Sequence, residues 1–130
     1  MHEDITLMDA AVAALESAAR DLATDDHAVA LAALSSAQHK IDALIDEIAA
    51  HGVLAGQSVR SLAEAAGVAP NTLSPRLART TVLGGYAEHG RVGAEGIARA
   101  RYDFRTGQYQ PSEPAAPLTF RARRSRKDRS

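Results

Sequence analysis

Ile5, Met8, Val12, Leu15, Ala19 and Leu22 recur at intervals of 3-4-3-4-3, with charged and small residues between them. That spacing lines one face of an amphipathic helix and predicts a helix over 4–22. Ala23-Thr24-Asp25-Asp26 interrupts the pattern. Thr24 or Asp25 can cap a second helix by accepting hydrogen bonds from its first N–H groups. Leu31, Leu34, Gln38, Ile41, Ile45 and Ile48 then repeat the same spacing, and Leu44 widens the stripe. A helix from 26 to 51 follows, closed by Gly52. Two matched stripes joined by so short a link predict an antiparallel helical hairpin. Two helices alone leave one side of each stripe wet, so the hairpin is expected to pack on the rest of the chain or on another copy. A four-helix homodimer is the simplest closed solution. Gln38 either fixes the register of that stripe or sits solvated at its edge.

Beyond the hairpin the pattern changes. Residues 57–80 form a separate unit, and 81–97 hold Gly84, Gly85, Gly90, Gly93 and Gly96, which reads as loop. Tyr102 and Phe104 alternate with charges between Arg99 and Arg105, and Thr106-Gly107 precedes Gln108-Tyr109-Gln110. Two short runs around a glycine-containing turn predict a small β-wing over 98–110. Pro111, Pro114 and Pro117 mark an extended linker over 111–118, and the arginine-rich end that follows is expected to be disordered. The predicted organisation is a mainly α chain: a helical hairpin over 1–52, a second unit over 57–110, and a linker with a basic tail over 111–130.

Charge separates these parts. The formal net charge of −1 hides ten acids against Arg20 and Lys40 in residues 1–56, and 13 basic residues against six acids in 57–130. A halved distribution points to a nucleic-acid-binding part joined to a part with another task. Among the 130 residues there is no cysteine, which excludes disulfides, thiolate zinc sites and cysteine nucleophiles. No apolar run approaches the ~18 residues that span a bilayer, so no membrane partner is expected. With the acidic start His2-Glu3-Asp4, the expected location is the cytoplasm, in association with the nucleoid.

The most informative stretch is Ser58-Val59-Arg60-Ser61-Leu62-Ala63-Glu64-Ala65-Ala66-Gly67-Val68-Ala69-Pro70-Asn71-Thr72-Leu73-Ser74-Pro75-Arg76-Leu77. Leu62 and Ala66 are four apart and share the inner face of a first helix, which Ser58 can cap. Ala63 is small where a second helix crosses. Gly67 can take the positive φ that a sharp helix–helix turn demands, and Val68 and Leu73 fill the angle. The stretch resembles the helix-turn-helix of bacterial repressors, including the lactose-repressor family's Val-Ala-x-x-Ala-Gly-Val-Ser-x-x-Thr-Val-Ser. The matching residues are Leu62, Ala63, Ala66, Gly67, Val68, Ala69, Thr72, Leu73 and Ser74.

The resemblance implies a second helix lying in the major groove of double-stranded DNA. By position, Pro70 and Asn71 would face base edges, and Thr72, Ser74, Arg76 and Arg79 would reach phosphates or bases. Arg60 on the first helix is a further candidate. Asn pairs bidentately with adenine, and Arg with guanine or phosphate. Two residues depart from the pattern. Pro75 removes an N–H inside the second helix, so that helix is kinked or starts at Ser74. Arg76 stands where the family carries an apolar residue, a role open to Leu77. Arg99, Arg101 and Arg105 would line the wing and touch phosphates. Arg121, Arg123, Arg124, Arg126 and Arg129 in the tail would add contacts blind to sequence.

Catalytic and metal chemistry find little support. His27 beside Asp25 and Asp26 reads as solvated capping, His39 and His51 are too far apart to share a turn, and His89 has no nucleophile spacing near it. No phosphate-cradling glycine loop, Ser-His-Asp pattern or zinc signature is present. The expectation is a non-enzymatic, sequence-specific transcriptional regulator without cofactor, dimeric through residues 4–51. The alternative is a helical adaptor or antirepressor-like protein that binds a protein partner through 4–51 and touches nucleic acid through its tail.

Overall fold

The computed structural model describes residues 2–112. They form helices α1 (His2–Leu22), α2 (His27–Leu54), α3 (Val59–Ala66), α4 (Pro70–Leu77) and α5 (Ala94–Thr106), with a 3-10 turn at Gly84–Tyr86. The mainly α class is as expected from the sequence. The linker beyond Ser112 and the arginine-rich tail lie outside the described residues.

The hairpin forms, with two corrections at its ends. Asp26, rather than Thr24 or Asp25, caps α2: its carboxylate accepts from the Val29 N–H at 3.2 Å. Thr24 instead donates its hydroxyl to the Asp21 carbonyl at 2.7 Å and closes α1. Gly52 does not end α2, which runs on to Leu54. The glycine serves close packing there, since a Cβ at this position would stand 2.9 Å from the Leu62 side chain of α3.

The surfaces that meet inside the hairpin differ from the aliphatic stripes. Ala11 and Ala18 of α1 are buried, as are Ala30, Ala37 and Leu44 of α2, each series repeating every seven residues. Methyl side chains let two helix axes approach to the short end of the usual ~8–10 Å range. The larger side chains are turned outward: Ile5 is 59% exposed, Leu22 61% and Leu31 66%.

α2 also enters the second unit. Its Ala49, Ala50, Val53 and Leu54 join Ala63 of α3, Leu73 and Leu77 of α4, and Val82, Leu83, Tyr86, Val92 and Ala100 in one buried cluster. The hairpin and the second unit therefore share a continuous helix.

The predicted β-wing over 98–110 is absent, because α5 occupies 94–106. Ile97, Ala100 and Arg101 fall on one face at helical spacing and pack inward, while Tyr102 and Phe104, which a ribbon would bring to one common face, are both exposed to solvent and point to well-separated sides of the helix. Arg101 donates from Nε to the Val53 carbonyl at 2.9 Å and from Nη2 to the Gln57 carbonyl at 3.0 Å, tying α5 to the end of α2 and the turn that follows. Past Gly107 the chain returns over the core. Tyr109 stacks on Tyr86 and donates its hydroxyl to the Val82 carbonyl at 2.8 Å; the Ser112 N–H bonds to the Thr81 carbonyl at 2.8 Å.

Candidate nucleic-acid interface

α3 and α4 follow one another across a three-residue turn. The Ser58 hydroxyl accepts from the Ser61 N–H at 3.1 Å and starts α3. Ala63 is fully buried at the crossing, and Gly67 ends α3 in the left-handed region at φ 78°. α4 begins at Pro70, whose missing N–H is not needed in a first turn. Ala69 before it supplies no side-chain cap, and the Thr72 and Leu73 N–H groups both bond to its carbonyl, at 2.9 and 3.1 Å.

Of the two starts open to the second helix, the structure takes the one at Pro70 and carries Pro75 inside α4. Pro75 cannot bond to the Asn71 carbonyl, but it lies on the solvent side, where water can serve that oxygen. Leu73 and Leu77 are fully buried, so Leu77 does take the apolar role. Asn71, Pro75 and Arg79 follow one another at intervals of four along the exposed side of α4 and its C-terminal extension, with Thr72 beside them. Arg60 is exposed on α3 and shares a shallow depression with Glu64, Val68 and Pro70, next to the start of α4.

Three sequence candidates point elsewhere. Arg76 reaches back to α2, with Nε and Nη2 each 2.7 Å from Asp46 Oδ1. Burial holds the Asp46 carboxyl above its ordinary value of 3.8, and the Arg76 guanidinium offsets only part of that rise. The Ser74 hydroxyl donates to the Val92 carbonyl at 3.0 Å, and the Val92 N–H bonds to the Ser74 carbonyl at 3.2 Å. Arg101 spans the end of α2, as described above. These side chains position α4 and its supports rather than face outward from it. Arg99 and Arg105 are exposed on α5, over the rings of Tyr86 and Tyr102 at 5.6 and 5.9 Å, and do not lie on a ribbon.

A short hairpin turn ahead of α5 packs beside α4. Glu88 and Arg91 form an antiparallel bridge, with Glu88 N–H to Arg91 carbonyl at 2.8 Å and the reverse bond at 3.2 Å. Between them His89 and Gly90 both have positive φ, 56° and 78°, the signature of the tightest hairpin turn. Val92 is fully buried behind the turn, while His89, Gly90 and Arg91 are exposed. The two bonds to Ser74 pin this turn to α4, roughly 60° around the helix from Asn71.

Sequence reasoning did not single out Asp46 or Glu47. Glu47 is buried and accepts from the Thr81 N–H at 2.9 Å and the Thr81 hydroxyl at 3.0 Å. Together these neighbours on α2 hold Arg76 on α4 and the chain just beyond it. The one available signal was their place on α2 where the hairpin stripe gives way to Ala49, Ala50 and Val53. Charge over 57–112 is mixed, with seven arginines against Glu64, Glu88, Glu95 and Asp103.

Among the described residues no group of three or more His, Asp and Glu side chains is placed to hold a metal, and no helix is long and apolar enough to cross a membrane. No protein-family model matches the chain, and no curated protein or solved structure is significantly similar to it.

Proposed function

We propose that the chain is a sequence-specific DNA-binding protein, a transcriptional regulator that presents α4 to the major groove. The observation carrying this is the α3–Gly67–α4 corner: Ala63, Leu73 and Leu77 close it from within, while Asn71, Thr72 and Arg79 stand exposed along its outer side. Asn71 has the donor–acceptor pair that reads adenine, and Arg79 suits guanine or phosphate. The N-terminal end of α4 and Arg60 beside it favour a phosphate at the groove edge. Arg91 on the Glu88–Arg91 turn is the flanking contact on the other side of α4, in place of Arg99, Arg101 and Arg105. The tail arginines supply counter-charge without base readout.

Titrating a selected site and a random duplex with Asn71→Ala, Arg79→Ala and Arg76→Ala proteins tests the assignment. Asn71→Ala is expected to lose about 1–3 kcal/mol on the selected site and little on random DNA. Arg76→Ala is expected to keep the ratio of the two affinities. If discrimination survives both Asn71→Ala and Arg79→Ala, α4 does not read bases, and the adaptor with a sequence-blind tail becomes the better description.

A further inference from the structure

The seam inside the hairpin is mostly alanine, and most of the large stripe side chains are exposed. Outward stripe residues follow inward seam residues by one position: Val12 after Ala11, Ala19 after Ala18, Leu31 after Ala30, Gln38 after Ala37. One position is a turn of ~100° in the same rotational sense on both helices. Because α1 and α2 run antiparallel, equal rotations in the same sense bring both stripes to one face of the hairpin. That face extends from Ile5 to Leu22 on α1 and from Leu31 to Ile48 on α2, a length of ~26 Å on each helix.

We infer that this face is the seat of a second copy of the same chain, closing a four-helix bundle. Three observations favour that occupant. First, the two stripes have equal length and identical 3-4-3-4-3 spacing, so the face complements itself under a two-fold rotation. Second, the eight large side chains 41–66% exposed on the face present on the order of 800 Å² of surface, the ~800 Å² per partner of a standard stable interface. Monomers seldom leave contiguous patches beyond ~300–600 Å². Third, residues 113–130 contain only Leu118 and Phe120 as large apolar side chains, too few to cover the face from within these 130 residues. Gln38 lies on the stripe between Leu34 and Ile41 and is the polar position within the joint. The inference stands apart from the DNA-binding proposal, because it uses no residue of α3 or α4.

Sedimentation equilibrium on the full chain at tens of micromolar tests it. The expected mass is twice 13.7 kDa. Leu15→Asp and Leu34→Asp, both at exposed positions, are expected to raise the dimer dissociation constant at least 100-fold with helix content retained in circular dichroism. Val29→Asp is the control: Val29 is 45% exposed but lies on the far side of α2 from Leu31, so the dimer is expected to survive. A monomeric wild type, a mass above the dimer, or a dimer indifferent to Leu15→Asp and Leu34→Asp overturns the inference. Should the aspartate variants lose helix, Gln38→Leu decides: a tighter dimer supports the joint, and an unchanged dissociation constant removes it.

Discussion

Gly67 carries a sharp local requirement at the α3–α4 turn. At φ 78° it stands where a β-branched side chain collides with its own backbone. Gly67→Val is expected to destabilise the chain by about 2 kcal/mol, read as a lower melting temperature; a melt like wild type would show that the α3–α4 turn is formed otherwise. Asp46 gives a pH signature. Its folded value lies above 3.8 because burial outweighs the pull of Arg76. A carboxyl with a raised folded value favours the folded state most when protonated, and that advantage is lost as pH rises through the folded value. The stability of wild type relative to Asp46→Asn should therefore fall with rising pH from 3.8 upward to that higher value. A flat difference from denaturant titrations across this window would contradict the burial of Asp46.

At the level of elements, the alanine seam sets how closely α1 and α2 approach. Ala37→Leu would force extra volume into it and is expected to cost about 1–3 kcal/mol, measured by chemical denaturation, whereas Leu31→Ala on the outer stripe should cost the isolated hairpin far less. The hairpin, the Ser58 cap, the Gly67 turn and the inward Leu73 and Leu77 were all legible in the sequence, because each depends on local spacing or on one residue's conformational range. Which stripe faced the partner helix was not. Spacing marks Val12 and Leu31 as apolar but does not say that Ala11 and Ala30 permit the closer approach. The wing failed for a related reason: Tyr102 and Phe104 alternate with charge over too few residues to separate a ribbon from a helix, and the anchors of α5, Arg101 to Val53 and Tyr86 to Asp103, are distant in sequence. The inward turns of Ser74 and Arg76 were hidden likewise, since their partners Val92 and Asp46 lie 18 and 30 residues away.

At the scale of the whole molecule, α2 joins the outward apolar face to the cradle that holds α4, so the proposed assembly and the proposed DNA contact share one continuous helix. The two associations should respond to salt in opposite directions. Two acidic hairpins repel one another, so added salt is expected to tighten the dimer, while DNA binding by Arg60, Arg79, Arg91 and the tail should weaken as counterions compete. If the tail arginines act as proposed, adding charge without base readout, removing residues 119–130 is expected to weaken binding to specific and random duplexes by similar factors and to flatten the salt dependence. The most direct measurement of what the chain does is selection of binding sites from a pool of random duplexes with the full-length protein. Enrichment of one defined sequence, abolished or altered by Asn71→Ala or Arg79→Ala, is the predicted result; recovery of an unenriched pool, bound only in a salt-sensitive way, would contradict sequence-specific recognition by α4.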